Sequence, residues 1–343
     1  MSSTKITDIA KAAGVSHATV ARVIHKKGYV SEENRKKIEQ LIQEMGYVPN
    51  KMAQSLKSAQ SHLIGHLTVF NPNMLYAKIS YAVNRSAEQQ GFHVLTMTGH
   101  PQLNEEEAQV NELIGRRVDG IIITSNVFIA PELIQKFVAA NIPVVMVERA
   151  LGIPYVDCIR IDDLTGSYGA VQHILSHGHR RIGFIGTQPV MPIHDVEHHR
   201  YQGYLNACSD ASVDVSDELV CLMEEYSAEA GYQAAKRLMR LEDPPSAVFA
   251  TSDLFVAGVL QYLQKVDKKV PKDISLVGYD DTLSSLLAPP ITSVALSHEK
   301  IGEHAIRFLL QRMADRKAPA QSTKIETVFI DRHSVQGIRG SEK

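Results

Sequence analysis

Several polar side chains stand directly after apolar segments that are typical of buried strands, where they could bind a small polar molecule. The carboxyl ends of parallel strands meet at one edge of a sheet, so the residues that follow them share a cleft. The residues in such places are Asn73, Tyr76, Thr124, Glu148, Arg200, Ser252 and Asp280. Arg200 donates hydrogen bonds and Asp280 accepts them, a combination that suits a polyol. Alternatively, Arg200 and Asp280 could each form a salt bridge on the surface or between two lobes. From the sequence pattern alone, a salt bridge is favoured over ligand binding.

Other groups of reactive side chains predict neither catalysis nor metal binding. One short segment is rich in potential ligands, namely His194, Glu197, His198 and His199. Its spacing matches no helical His-x-x-x-His pair with a third ligand, so we expect a solvent-facing loop near the cleft mouth. The scattered cysteines fit reduced, buried thiols, and they are Cys158, Cys208 and Cys221. Because a phosphate loop, a nucleophile elbow and a metalloprotease motif are absent from the sequence, we expect no enzyme and no cofactor.

The elements that must position the cleft residues follow from an alternation of short apolar and amphipathic segments after Leu63. The predicted strands are 63–70, 92–97, 120–124, 143–147, 156–161, 181–185, 247–250 and 274–278. Alternating βαβ units predict a mostly parallel, doubly wound sheet. Roughly 280 residues are many for one such core, so we expect two α/β lobes with a cleft between them.

The first fifty residues predict a separate three-helix domain that contains a helix-turn-helix. Two apolar stripes at helical spacing flank a turn, and they consist of Ile6, Ile9, Ala10 and Ala13, then Val20, Val23 and Ile24. Gly14 tolerates the positive φ of a helix end, and Ser16 is a good N-cap for the second helix. A third apolar pattern starts after the cap Ser31 and stops at Gly46.

The charge of the chain is unevenly distributed. Residues 1–60 hold ten Lys or Arg against five Asp or Glu, a net charge of +5, which leaves 26 against 33 of the chain's 36 and 38 for the rest. The remainder is therefore at −7, and only the first domain suits a polyanion. A solvated basic helix face is the alternative, but the turn chemistry combined with the charge favours DNA binding.

The first domain also carries a run of short motifs in a fixed order. They are Asp8-Ile9-Ala10, Ala13-Gly14-Val15-Ser16, Thr19-Val20-Ala21-Arg22-Val23, Val30-Ser31 and Gly46-Tyr47-Val48-Pro49-Asn50. This run resembles the DNA-binding head of the lactose-repressor family of bacterial transcription regulators. The faces of the second helix that the core leaves free, together with this resemblance, predict the contacts to double-stranded DNA. The residues concerned are Ser16, His17, Ala18, Thr19, Ala21, Arg22 and His25 at the second helix, and Ser31 before the third.

Residues 50–61 form a polar segment that by composition could be a plain linker. In the resembling family this segment is a hinge helix that forms on operator binding, and its leucine enters the minor groove. Leu56 stands at that place, with Ala53 and Lys57 beside it. Since a short isolated helix is unfavourable in water, DNA and the following domain must stabilise it together.

Motifs in the second domain extend the resemblance over nearly the whole chain. They are Arg117-Val118-Asp119-Gly120-Ile121, Gly178-His179-Arg180-Arg181-Ile182 and Val277-Gly278-Tyr279-Asp280-Asp281. They are similar to the periplasmic-binding-protein-like regulatory domain of the same family. The resemblance implies an effector site in which Arg200 and Asp280 hold sugar hydroxyls. Glu148 and Ser252 replace the common Asp and Asn, so the identity of the effector does not carry over from a relative.

These observations together predict a repressor with four segments: a helix-turn-helix head 1–49, a hinge 50–61, a two-lobed effector-binding and dimerisation domain 62–335, and a tail 336–343. We expect a homodimer in which each head binds half of a near-palindromic operator and a sugar or sugar derivative binds in the cleft. The helix from about Leu75 to Gln90 is the candidate dimer surface, and the lack of terminal leucine heptads favours a dimer over a tetramer.

The alternative function is a solute-binding module of the same regulatory-domain type. Such a protein would need a signal peptide and would have no use for the head. The segment Met1 to Lys5 is not apolar, and no apolar run reaches ~18 residues, so we expect a cytoplasmic protein. A ligand that opposes the DNA-competent lobe arrangement would be an inducer, and one that favours it a corepressor.

Overall fold

A computed structural model describes residues 4–47, 60–69, 74–99, 106–124, 130–148, 152–188 and 196–338. The chain forms two compact units, residues 1–61 and 62–343. Four residues with predicted ligand contacts lie outside the described residues, namely Ala53, Leu56, Lys57 and Asn73. Within the described ranges, every helix is too short or too polar to cross a membrane.

The first unit is the predicted three-helix head, with α1 at Ile6–Ala13, α2 at His17–Ile24 and α3 at Glu32–Glu44. Gly14 ends α1 with a φ of 71°, which a residue without Cβ adopts at no steric cost. The hydroxyl of Ser16 accepts a hydrogen bond from the Thr19 N–H at 3.1 Å, so the predicted cap of α2 is confirmed. Residues from all three helices, Ile9, Val20 and Ile38 among them, form the buried core.

The start of α3 differs from the prediction. Ser31 occupies the N-cap position, but its side chain makes no capping hydrogen bond. Glu32 and Glu33 lie in the first turn instead, where carboxylates interact favourably with the positive end of the helix dipole.

The second unit contains twelve strands in its described residues. They are β1 Leu63–Val69, β2 His93–Gly99, β3 Gly120–Thr124, β4 Val144–Val147, β5 Val156–Ile161, β6 Ile182–Thr187, β7 Val220–Met223, β8 Ala247–Ala250, β9 Ser275–Asp280, β10 Thr292–Ala295, β11 Ser322–Ile325 and β12 Val328–Ile330. The helices between them are α4 Met74–Gln89, α5 Glu106–Gly115, α6 Pro131–Ala139, α7 Asp163–Ser176, α8 Val196–Asp210, α9 Ala228–Leu238, α10 Asp253–Lys265 and α11 His298–Ala314, with a 3₁₀ turn at Asp217–Leu219.

The strands form two six-stranded sheets, one in each lobe. The first lobe has the order β11-β5-β4-β3-β1-β2 and is parallel throughout. The second has the order β12-β10-β9-β8-β6-β7, in which only β12 is antiparallel. This confirms the predicted pair of α/β lobes. All eight predicted strands are present, and the sequence analysis missed β7, β10, β11 and β12.

The chain passes between the lobes three times. The passages join β5 to α7, β10 to α11 and β11 to β12. Two of them touch, because the Asp162 N–H donates a hydrogen bond to the Ile325 carbonyl at 2.9 Å. A change in the arrangement of the two lobes would therefore displace residues at the first passage, such as Asp163.

Candidate functional site

The outer face of α2 presents the predicted DNA contacts. Ser16, His17, Ala18, Arg22 and His25 are exposed, whereas Thr19 and Ala21 are partly buried. The opposite face carries Val20 and Val23, which lie in the core. Arg22 has no ion-pair partner among residues 4–47, so its guanidinium is available to an external acceptor.

Two acidic residues end strands of different lobes in an unusual backbone conformation. Glu148 follows β4 with a φ of 76°, and Asp280 ends β9 with a φ of 81°. Side chains with a Cβ rarely adopt positive φ, and such strain clusters at functional sites. The fold thus directs two carboxyl groups towards the carboxyl ends of the two sheets.

Arg200, on α8, is the centre of a buried network of charges. Its Nε donates to Asp163 Oδ1 at 2.9 Å, and its Nη2 lies 3.3 Å from Asp280 Oδ1. A further donor, Nη1, binds the carbonyl of Thr251 at 2.7 Å. The guanidinium also stacks 4.0 Å from the ring centre of Tyr279, a cation–π contact. The alternative considered for Arg200 and Asp280, a salt bridge, is present, but it lies inside the second lobe and its side chains are only 2% and 0% exposed.

Glu197 corrects one expectation from the sequence. It does not lie in a solvent-facing loop but in α8, one turn before Arg200, and it is 2% exposed. His198 and His199 are partly buried on the same helix, while His194 lies outside the described residues. The reason is that the helix begins at Val196 and brings every third or fourth residue onto the face that packs against the lobe.

Neutral donors surround the Glu197 carboxylate. Its Oε2 accepts from the Thr187 N–H at 3.0 Å and from the Thr251 hydroxyl at 2.9 Å. Its Oε1 accepts from the Tyr226 hydroxyl at 2.8 Å. Burial raises the pKa of Glu197 to about 7, against the opposing effect of Arg200 and these hydrogen bonds.

Glu148 closes the network from the first lobe. Burial, reinforced by the negative charge of Asp163, raises the pKa of Glu148 to about 8. The hydroxyl of Tyr76, on α4, is hydrogen-bonded to this carboxyl group. Its Oε2 atom is buried and has no hydrogen-bond partner among the described residues. Glu148 therefore has one buried carboxyl oxygen whose hydrogen-bonding capacity the described residues do not use.

The structure brings together four of the predicted effector residues, namely Tyr76, Glu148, Arg200 and Asp280. Thr124 is hydrogen-bonded to His66 inside the first lobe, with 2.9 Å between Oγ1 and Nε2. The hydroxyl of Ser252 caps α10 by accepting from the Leu254 N–H at 3.3 Å.

The sequence analysis missed Asp163 and recognised Glu197 only as a potential metal ligand. Asp163 comes two residues after β5 ends, so the rule that selected the other cleft residues should have included it. Glu197 lies three residues before Arg200, and residues at this spacing are neighbours on a helix. In the described part of the chain no cluster of His, Cys, Asp or Glu could hold a metal ion. The cysteines are free and buried as predicted.

Two family models match separate parts of the chain. The model described as bacterial regulatory proteins, lacI family, matches residues 5–50. The model described as a periplasmic binding protein-like domain matches residues 171–335.

Known proteins are similar to the chain over almost its full length. An HTH-type transcriptional repressor PurR of Mannheimia succiniciproducens is 30% identical over 336 residues, which cover 97% of this chain and 99% of the relative. The PurR repressor of Actinobacillus pleuropneumoniae serotype 3 is 31% identical over 322 residues, 94% of either chain. Among solved structures, a lac repressor dimer bound to operator and the anti-inducer ONPF has a TM-score of 0.83 at 25% identity, covering 98% of this chain and 100% of that one. A complex of the transcriptional regulator CelR with cellobiose has a TM-score of 0.72 at 30% identity, covering 96% and 99%.

Proposed function

This chain belongs to the lacI family of bacterial regulatory proteins, and we propose that it represses transcription by binding a near-palindromic operator. A small polyhydroxylated effector lowers or raises its affinity for that operator. It is a DNA-binding transcription regulator with an effector-binding domain. Its relatives are regulators, not enzymes. We place its action in the cytoplasm, where the DNA is.

The exposed face of α2 supports the assignment of DNA contacts. The proposed contacts are Ser16, His17, Ala18, Thr19, Ala21, Arg22, His25 and Ser31, with Ala53, Leu56 and Lys57 of the hinge. A guanidinium such as that of Arg22, which has no ion-pair partner among residues 4–47, can donate two hydrogen bonds to one guanine in the major groove. Two heads held by a homodimer would match the symmetry of the operator.

The dimer proposal is supported by one face of α4. Met74 and Tyr81 lie two turns apart on this helix and are 46% and 67% exposed. Large apolar side chains on one exposed face are typical of an interaction surface. The similar lac repressor structure is a dimer bound to its operator.

The effector proposal rests mainly on one observation, the convergence of Glu148, Arg200 and Asp280 from two lobes at the carboxyl ends of their sheets. Donors and acceptors that meet in this way suit the hydroxyl groups of a sugar. The proposed effector contacts are Asn73, Tyr76, Thr124, Glu148, Arg200, Ser252 and Asp280. Since Asp163 adjoins the first passage between the lobes, a ligand that competes for Arg200 would alter the lobe arrangement and, through it, the hinge.

The test of DNA binding begins with operator selection from a random DNA library, followed by gel-shift titration. Arg22→Ala should weaken specific binding by about 1–3 kcal/mol. The control is Arg116→Ala, which removes an exposed arginine of the second unit and should leave affinity unchanged. Equal operator affinity of the Arg22→Ala variant and the parent would contradict the proposal that the exposed face of α2 contacts DNA.

The test of the effector site is a thermal-shift screen of the full chain against sugars, sugar acids, sugar phosphates and purines. A ligand that binds only the folded protein raises the melting temperature. Asp280→Asn should abolish that shift while leaving operator binding without effector intact. If a ligand still raises the melting temperature of the Asp280→Asn variant, the effector site lies elsewhere.

A further inference from the structure

Among the described residues of the proposed effector site, carboxyl groups outnumber positively charged side chains. Four of them are at most 7% exposed, and they belong to Glu148, Asp163, Glu197 and Asp280. Arg200 forms an ion pair with three of these groups, those of Asp163, Glu197 and Asp280. A phosphate or carboxylate ligand would add negative charge to a region from which water is excluded, and this is costly.

Glu148 differs from the other three carboxyl groups. It lies in the first lobe, opposite Arg200, and it makes no ion pair within the described ranges. Its Oε2 is buried without a hydrogen-bond partner among the same residues, while its backbone holds a φ of 76°. A buried carboxyl oxygen without a partner, on a strained backbone, points to a ligand contact, and a positively charged donor would bind the ionised form of this group best.

We propose that the effector is an amino sugar or related aminopolyol, whose ammonium group lies between Glu148 of the first lobe and Asp163 and Asp280 of the second. This inference rests on the proposed function and specifies in addition that the effector is positively charged. The hydroxyl groups of the ligand face Arg200 and Asp280, and its amine supplies the donor that Glu148 Oε2 lacks. Because the ammonium group contacts carboxyl groups of both lobes, the affinity of the ligand depends on how the lobes are arranged. Control of DNA binding by an effector requires such a difference in affinity.

Proton release accompanies binding in this arrangement. The carboxyl group of Glu148 is mainly protonated below pH 8 because burial raises its pKa to about 8. An ammonium group beside it favours the ionised form, so the complex releases a proton near pH 6.5. Neutral sugars leave Glu148 protonated and release none.

The experiment is isothermal titration of the full chain with glucosamine, galactosamine and mannosamine. Each amine is compared with its parent hexose, its N-acetyl derivative and the 6-phosphate of the hexose. Titrations at pH 6.5 in buffers of different ionisation enthalpy count the protons released. We expect one amine to bind at least tenfold more tightly than its N-acetyl and phosphate counterparts and to release close to one proton.

Variants of Glu148 separate charge from shape. Glu148→Gln should lower the amine affinity at least tenfold and abolish proton release, whereas Glu148→Asp, which keeps the charge, should retain both in part. The matched control Glu132→Gln changes an exposed glutamate of α6 in the same lobe and should alter neither.

Three outcomes would overturn the inference. If a hexose, an N-acetyl sugar or a sugar phosphate binds as tightly as the amine, the effector does not need a positive charge. The proposed function is unaffected by that result. Amine binding that Glu148→Gln does not weaken would refute the role of this carboxyl group. Failure of all three amines to bind a preparation that still binds operator would refute the ligand class, and the proposed function would then be judged by the broader thermal-shift screen.

Discussion

Replacing Glu148 with glutamine should make the second unit more stable at alkaline pH, although it changes a residue of the proposed site. The pKa of Glu148 is about 8 in the folded protein against an ordinary value of 4.5. Between these values the folded state holds a proton that the unfolded state has lost. Stability therefore falls as the pH rises through this window, and the loss is complete above the folded pKa.

The magnitude follows from the width of the window. Each pH unit inside it changes the free energy of unfolding by about 1.4 kcal/mol. From pH 6 to pH 8 the wild-type protein loses about 2.3 kcal/mol from this group, and by pH 9 about 2.7 kcal/mol. Glutamine has no proton to lose and can still accept the Tyr76 hydrogen bond. The variant should thus gain about 3 kcal/mol relative to the wild type between pH 6 and pH 9.

Urea unfolding followed by far-ultraviolet circular dichroism at both pH values measures this difference. The proteins compared are the wild type, Glu148→Gln and the exposed control Glu132→Gln, all without ligand. Glu197, with a pKa of about 7, contributes a slope to every curve and cancels in the comparison. If the Glu148→Gln variant and the wild type lose the same stability between pH 6 and pH 9, the carboxyl group is not held protonated and the reasoning fails.

Three further substitutions test other parts of the chain. Leu56→Ala should weaken binding to the selected operator while leaving effector affinity without DNA unchanged, because it removes the proposed minor-groove wedge; a gel-shift titration in which variant and parent bind equally would exclude this role. Ser16→Ala should destabilise the head by about 1 kcal/mol through loss of its hydrogen bond to Thr19, seen as faster amide hydrogen exchange in α2, and unchanged exchange would contradict it. Arg312→Ala should cost about 3–5 kcal/mol because Asp157, which is 0% exposed, would remain buried without its partner; a loss below 1 kcal/mol in urea unfolding would show that the site relaxes.

Local patterns were sufficient for the strands that are apolar throughout. β3, with the sequence Gly-Ile-Ile-Ile-Thr, and β8 begin and end where the sequence predicts. Among the missed strands, β7 (Val-Cys-Leu-Met) and the three-residue β12 (Val-Phe-Ile) are also apolar throughout, so β7 was simply overlooked. β10 and β11 lack that signal. β10 buries Thr292 and Ser293, and the Thr292 hydroxyl is hydrogen-bonded to Asp331 at 3.0 Å. β11 and β12 are short edge strands that the chain reaches only after passing between lobes, and periodicity does not report such pairings.

The sequence by itself determined the head and the class of fold, because caps, glycine turns and apolar periodicity act over a few residues. Ser16, Gly14 and the stripe that contains Val20 specify their structure locally. It also named Glu148 and Asp280, since strand ends are visible in the chain. Arg200 does not follow a strand directly, as the sequence analysis expected, but lies inside α8, thirteen residues after β6 ends; the family resemblance supported its selection. Only the tertiary structure decided the electrostatics of the cleft. The partners of Arg200 come from α7, α8 and β9, and the pKa values of Glu148 and Glu197 rise because segments distant in the chain together exclude water from them.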